Sequence, residues 1–493
     1  MEWMIENSQG PQLFNIDGES MEKTIHPNLI VLNDVQKEKI HTDSLQVLAT
    51  VGVRVDSATA RQLFTDAIGT EATREDRVYI PAELVEYALK LAPSSVDIYN
   101  RRGDLAFRLP GQTRFGIGVT ALYYQNPETD RIEPFTRQHM ETTVRLGDIL
   151  PNFDTISTIG IIQDVSPEQS DLYATLEMMA NTVKPLVILV SDERVFPAVL
   201  DLLAHLHGDL ALKSFIIPYF NPISPLVINE GTADKMFAAI ERGLTFIYSN
   251  YGMAGATTPI TPAGSLILLN AELLAGLTLI QLIKEGAPAI FGSLPASFNM
   301  KGKGSFYDPR GYLLNLVCAE MMDYYHLPHC GTSGSGMGWG ADLISAGHQW
   351  TNHVTSCIGR VGLAPFVGNI LDSITFSPAV ITYANEIIEQ ARLFTGGFDM
   401  DDTSTILNEI AQAGPGGNFL TSDLTFKQFR QAQYHSDIFP RLTPEEWQTE
   451  GFPRPDNYLR QYTNELMSSL DPPGDHEDLM AKGEAFICKL VAR

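Results

Sequence analysis

The chain has 493 residues, of which 44% are hydrophobic and 19% charged, enough apolar material to bury a large core and more than a small binding module needs. Its 59 acidic and 34 basic residues give a formal charge of −25, a field that repels phosphate backbones and anionic membrane surfaces. Nucleic acid and membrane are therefore excluded as expected partners.

The N-terminus, Met1-Glu2-Trp3-Met4-Ile5-Glu6-Asn7, lacks the basic start and apolar run of a secretion signal, so no export is expected. From about Val35 to Ala92, apolar residues recur at helical spacing, as in Leu45, Leu48 and Val51, and residues 1–105 read as a mainly helical segment. After Asp104 short apolar runs alternate with helices, the pattern of parallel strands joined by crossovers. Strands are expected at Arg114–Val119, Asp154–Ile161, Pro185–Val190, Ser214–Pro218, Thr245–Ser249, Pro288–Ser293, Pro328–Thr332 and Ala364–Gly368. Capping residue and proline pairs open several of the intervening helices: Ser166-Pro167, Thr261-Pro262, Asp308-Pro309 and Ser377-Pro378. Gly243 and Gly286 end two others. Eight such units over residues 106–397 predict an α/β fold, a (β/α)8 TIM barrel, although an open doubly wound sheet gives the same local pattern. Tyr123 to Arg131 reads as a hairpin inserted after the first strand. The apolar run Pro262–Ile283, interrupted by Asn270, Glu272 and Gln281, reads as a buried helix rather than a membrane span. Residues 398–493 form a loop-rich C-terminal extension, with Gly414-Pro415-Gly416-Gly417 as punctuation.

In such barrels the reacting groups sit where strands end and loops begin. That rule nominates Tyr123, Tyr124, Gln163, Asp164, Tyr219, Phe220, Asn221, Asn250, Tyr251, Ser293, Thr332, Ser333 and Asn369, with Trp339, His348 and Trp350 in the loop and helix after the seventh strand. Any single aromatic there is more often a core plug. Several converging on one mouth suit a quaternary ammonium, each desolvated ring face contributing roughly 0.5–2 kcal/mol. Asp164 has the alternative of capping the helix at Ser166, and His348 that of a satisfied structural histidine.

Gly331-Thr332-Ser333-Gly334-Ser335-Gly336-Met337-Gly338 is a glycine-dense run after a strand, open to two readings: a phosphate cradle, or a loop that lets a bulky cofactor approach. His205/His207 and His326/His329 match no zinc-pair spacing, so no metal is expected. Nucleophile-elbow, Walker and dinucleotide motifs are missing. The four cysteines, Cys318, Cys330, Cys357 and Cys488, have no Cys-x-x-Cys spacing and fall in elements expected to be buried; a reducing compartment follows, with cytoplasm the default.

The stretch Ser249-Asn250-Tyr251-Gly252-Met253-Ala254-Gly255-Ala256-Thr257-Thr258-Pro259-Ile260-Thr261-Pro262-Ala263-Gly264, continuing through Asn270 to Gly276, resembles the trimethylamine methyltransferase family. So do Asn181-Thr182-Val183-Lys184-Pro185 and Gly414 to Leu420, and the resemblance covers nearly the whole chain. It implies a barrel whose mouth receives a methylated amine and the corrinoid (cobalamin) carried by a partner protein, and a homo-oligomer. Members acting on trimethylamine carry pyrrolysine near the end of the seventh strand, where this chain has Thr332-Ser333-Gly334. It is therefore similar to the pyrrolysine-free branch, which implies a quaternary amine, glycine betaine first, proline betaine or carnitine next. In the tail, Asn418 and Leu424 stand where the family often has histidine. The substrate-binding set implied is Tyr123, Tyr124, Tyr219, Tyr248, Tyr251 and Trp339 as a cage, with Asn250, Arg310 and His348 for the substrate carboxylate. Thr332, Ser333, Gly334 and Gly336 would face the cofactor, and no side chain is expected to act as acid or base. Two rivals from other classes are a barrel that binds betaines or corrinoid proteins without catalysis, and a metal-dependent hydrolase.

Overall fold

The structure is a computed structural model that describes residues 24–491 apart from Lys303, Ser335, Met337, Asp401, Asp402 and Gln431. Met1 to Asn7, and Ser335 and Met337 of the glycine run, lie outside the described residues. Eight parallel strands form the barrel: β1 (Arg114–Ile117), β2 (Thr155–Ser157), β3 (Leu186–Ile188), β4 (Ile216–Phe220), β5 (Phe246–Ala254), β6 (Ala289–Phe298), β7 (His329–Cys330) and β8 (Leu363–Val367). Each pairs with its neighbour in chain order, and β8 pairs with β1 through Leu363↔Arg114 and Ala364↔Phe115, so the sheet closes. All eight expected strands are present. The longest pairing is β5 with β6, from Phe246↔Ala289 to Ala254↔Ser297, which carries both strands beyond their expected ends.

The helices between them are α1 (Arg137–Ile149), α2 (Pro167–Asn181), α3 (Phe196–His207), α4 (Glu230–Glu241), α5 (Pro262–Ile283), α6 (Pro309–Tyr324), α7 (Leu343–Ile358) and α8 (Pro378–Gly396). Thr261 and Asp308 cap α5 and α6 with their side chains, as their sequence positions predict. Ser166 makes no such bond, and Asp164 instead accepts from the Arg137 N–H at 2.9 Å, serving the first turn of α1. The inserted hairpin is also present, with Tyr123–Gln125 paired to Ile132–Pro134.

Helix α5 is long and apolar enough to cross a membrane, yet it is mostly buried, covered by helices Asp34–Thr50 and Ala82–Leu91 of the N-terminal segment. Its three polar interruptions each make hydrogen bonds, with only Asn270 Oδ1 of these groups left without a partner among the described residues. Asn270 donates to Ser44 Oγ and Tyr325 OH at 2.9 Å, Gln281 bonds Ala287 O and Gly286 N, and Glu272 turns inward to the β4 loop.

A hairpin of Val96–Tyr99 and Leu105–Leu109 lies below the barrel: Tyr99 N bonds Ser214 O just before β4, and Arg101 N bonds Val183 O before β3. Its Ile98 and Phe107 join the interior layer of Val187, Ile217, Ile247, Ile290 and Leu363, plugging the N-terminal end. The Asn181 to Pro185 motif belongs to this end. Lys184 Nζ donates to Gly147 O and Leu150 O at 2.8 Å, and Arg145 holds Asn181 at 2.7 Å, so the motif ties α1 to α2.

After Gly397 the chain is more helical than its composition suggests. Short helices open on proline or a capping box, as at Thr443 before Pro444–Thr449. Helix His476–Val491 packs on α2 and α3, and on it Cys488 is exposed, against expectation, because it falls on the outward side. By contacts the described residues up to Pro27 with Leu393–Tyr434 form one unit, and Asn28–Arg392 with the residues from His435 form the other.

Candidate active site

Alternation along β5 decides which expected residues face the barrel mouth. Ile247 lies in the interior layer, so Ser249 and Tyr251 share its side. Tyr248 and Asn250 point the other way, against α5. A Cβ at Gly276 of α5 would lie 2.0 Å from the Tyr248 ring, and Asn250 Nδ2 donates to Leu269 O and Glu272 Oε2 at 2.8 and 2.9 Å. The structure thus does not bring Tyr248 or Asn250 to the mouth: both faces of β5 are covered, and hydrophobic pattern alone does not tell them apart.

Tyr219, from β4, does face inward, 6% exposed and edge-on to Phe366 of β8 at 5.0 Å. Its hydroxyl has no hydrogen-bond partner among the described residues. Tyr251 packs with Met253, Ala296, Tyr307 and Tyr312. Neither Tyr307 nor Tyr312 belongs to the expected set. They flank the Asp308 cap at the positions of a hydrophobic staple, one residue before the cap and four after it, and that spacing is the signal that would have found them. Burial holds the hydroxyls of Tyr219, Tyr251, Tyr307 and Tyr312 above the ordinary tyrosine value, so all four rings stay neutral. Such a group recognises a cation through ring faces, not phenolate charge.

His348 Nδ1 is bonded to Tyr312 OH, and burial lowers its pKa, keeping the imidazole neutral. Arg310 is exposed in the first turn of α6, two residues from Tyr312. Besides Tyr248, three expected cage members stand elsewhere. Tyr124 is 4% exposed and stacked on His139 at 4.0 Å, a core plug; Tyr123 and Trp339 are 38% and 71% exposed. Phe220 packs outward on Phe196 and Phe246.

The glycine run lines the same end. Thr332 is fixed by a two-way bond with Asn315, and Ser333 Oγ meets His353 Nδ1 at 2.8 Å. Burial, then Arg392, pushes His353 down to about 3, so it is neutral. Gly334 has φ +71°, and a Cβ there would lie 2.5 Å from His353 Cε1 and 2.6 Å from Gln349 Oε1. At Gly336, φ +103°, a Cβ would meet the Tyr307 ring at 2.8 Å. A side chain at either position would have to displace these neighbours as well as adopt an unfavourable φ. Opposite lies Leu371-Asp372-Ser373, three successive non-glycine residues at φ +51°, +57° and +68°, held by Leu371 N–H to Gly338 O and Asp372 N–H to Gly336 O. Left-handed backbone is unfavourable for such residues by roughly 1 kcal/mol or more each, and clusters at functional sites. The Asp372 carboxylate adds a negative field beside Tyr251.

Glu272 supports this end from outside. It accepts bonds from Ser224 Oγ, Leu226 N and Asn250 Nδ2, joining α5, β5 and the loop after β4. Burial nevertheless raises its pKa from 4.5 to about 7. The folded carboxyl holds its proton more tightly than the unfolded one, so stability from this group falls as pH rises from about 4.5 to 7, by about 3 kcal/mol, and levels off above that. Glu272→Gln is expected to flatten this part of the profile, read as the denaturant midpoint from pH 5 to 8. Parallel profiles for variant and wild type would refute the assignment.

The profile of the trimethylamine methyltransferase (MTTB) family matches residues 12–492. The chain belongs to the trimethylamine methyltransferase family. A trimethylamine methyltransferase of Desulfitobacterium hafniense (strain DCB-2) is 27% identical over 428 residues, 85% of each chain. A glycine betaine methyltransferase of the same species (strain Y51) is 24% identical over 475 residues, 94% of this chain and 97% of that one. The crystal structure of the Methanosarcina barkeri monomethylamine methyltransferase superposes with a TM-score of 0.52 at 10% identity, covering 90% and 89% of the two chains, a likeness of fold alone. This family member is accordingly a methyltransferase on a (β/α)8 barrel. The long glycine-alanine motif is the β5 to α5 turn: Gly252 gives way to Leu269 and Thr258, Gly255 turns at φ +91°, and Thr261 caps α5.

Proposed function

We propose that this methyltransferase moves a methyl group from a quaternary amine, glycine betaine first among them, to Co(I) of a corrinoid held by a partner protein, leaving dimethylglycine. The observation that carries this reading is the end of the seventh strand, where members acting on trimethylamine carry pyrrolysine and this chain has Thr332-Ser333-Gly334, with a Cβ at Gly334 lying only 2.5 Å from His353 Cε1. The relative whose printed name is glycine betaine methyltransferase supports the same choice.

When bound, the Co(I) acceptor would supply the electron pair for the new bond to carbon as the C–N bond breaks. The nitrogen keeps the electrons of the broken bond and leaves as a neutral tertiary amine, so no proton has to move. The chain's own part is to grip the cation on Tyr219, Tyr251, Tyr307 and Tyr312, keep water out and hold the N–CH3 axis toward the acceptor. His348, through Tyr312, and Arg310 stand on the side where a substrate carboxylate would be met. We assign this chemistry to residues 106–397, flanked by 1–105 and 398–493, in a homo-oligomer.

A panel of methylated amines with free cob(I)alamin, followed by the absorbance change on methylation, tests the reading. Glycine betaine is expected to react and trimethylamine not; methyl transfer from trimethylamine alone would overturn it.

A further inference from the structure

Between α7, α8 and helix Pro455–Ser468 lies a cavity of about 580 Å³, and none of the mouth tyrosines lines it. That volume suits a small organic ligand. Trp350 of α7, Tyr383 of α8 and Phe439 form its walls, Tyr383 and Phe439 edge to face at 6.2 Å and the Trp350 indole beside the Tyr383 hydroxyl. One helical turn beyond Tyr383, Glu386 lines the same space, 6% exposed, with Oε2 lacking any hydrogen-bond partner among the described residues. Ser345, 2% exposed, lines it as well, and its Oγ is also unpartnered.

Taking a carboxylate out of water without a counter-charge is unfavourable, and Arg454, the cation at the cavity's edge, is already bonded to Asp456 at 3.1 Å and 78% exposed. Three aromatic side chains line the same cavity as that carboxylate, and aromatic rings beside a carboxylate favour a positive group over a negative one. We propose that this cavity is a second binding site, for a small organic cation of the quaternary or protonated amine class. The rings pack on its methyl groups, Glu386 meets its charge and Ser345 Oγ takes a hydroxyl or other polar arm. Helix α7 also carries His348, Gln349 and His353, so a ligand seated here rests on the helix that supports the mouth.

The inference does not depend on the methyl-transfer reading, and its test is kept apart from activity. Choline serves as probe, measured by calorimetry on the full chain carrying Tyr251→Ala to weaken the mouth, against 3,3-dimethyl-1-butanol, its uncharged analogue of the same shape. One choline per chain is expected, bound at least tenfold more tightly than the neutral analogue. Adding Glu386→Gln is expected to weaken it at least tenfold with the thermal midpoint maintained, and Trp350→Ala, at a half-exposed position, to weaken it several-fold. Absence of choline binding, equal binding of the neutral analogue, or undiminished binding by both variants would overturn the site, whether or not the enzyme transfers methyl groups. Dissociation of a self-associated wild-type protein by Trp350→Ala, without choline binding, would overturn it too, in favour of a second copy of the chain as occupant.

Discussion

Alanine at Gly292 is expected to lower the thermal midpoint by about 5 °C or more, or to leave no folded protein. Gly292 lies in β6 opposite Cys330 of β7, and a Cβ there would come within 2.2 Å of the Cys330 carbonyl oxygen and 2.5 Å of its Sγ. Overpacking a core usually costs about 1–3 kcal/mol because side chains yield. Here the obstacle is the backbone of the adjoining strand, and β7 pairs with β6 through only Phe291↔His329 and Gly292↔Cys330. The seam has to open for the methyl group to fit. About 4 kcal/mol is a large share of the 5–15 kcal/mol that holds a domain folded, and with an unfolding entropy of about 2.1 cal/mol/K per residue each kcal/mol moves the midpoint of a unit of this size by roughly 1–1.5 °C. Gly347→Ala is the matched control: on α7 nothing lies within 4 Å of its Cβ, and helix propensity favours alanine by up to about 1 kcal/mol. A midpoint at Gly292→Ala equal to that of the control would show that β6 and β7 are not in this register.

Removal of the Tyr307 ring is expected to reduce kcat/KM for methyl transfer by roughly 100-fold. A desolvated ring over a cation contributes about 2 kcal/mol, and each 1.36 kcal/mol is tenfold in rate. Loss of the ring also frees Tyr251, which packs with it, so the effect exceeds one ring's share. Tyr307→Phe retains the face and is expected to stay within about threefold, which separates ring from hydroxyl. Steady-state rates of Tyr307→Ala and Tyr307→Phe, with circular dichroism confirming the fold of each, make the comparison. Near-wild-type rates for a folded Tyr307→Ala would place the substrate elsewhere. Because burial keeps these phenols protonated, neither enzyme should show a tyrosine titration between pH 6 and 9.

The barrel was legible in the sequence because each strand is a short apolar run closed by a turn or a capped helix. What propensity concealed was the length of β5. Asn250 and Gly252 look like loop residues, yet β6 runs alongside and supplies pairing that outweighs them as far as Ala254. The site was half legible. Tyr219 and Tyr251 followed from strand ends, and Tyr248 and Asn250 were misplaced because the phase of a strand covered on both sides is not written in its hydrophobicity. Tyr307 and Tyr312 were overlooked although the staple around Asp308-Pro309 marks them. Tyr124 took the plain role that a strand-end aromatic usually has.

The hairpin of Val96–Tyr99 and Leu105–Leu109 stoppers one end of the barrel, and this limits traffic. For the reaction proposed, donor, acceptor and spent amine must share a single doorway. The amine has to board before the carrier protein docks and disembark after it leaves, so turnover should follow a compulsory order, and a large excess of carrier should slow the enzyme by shutting the door on an empty chamber.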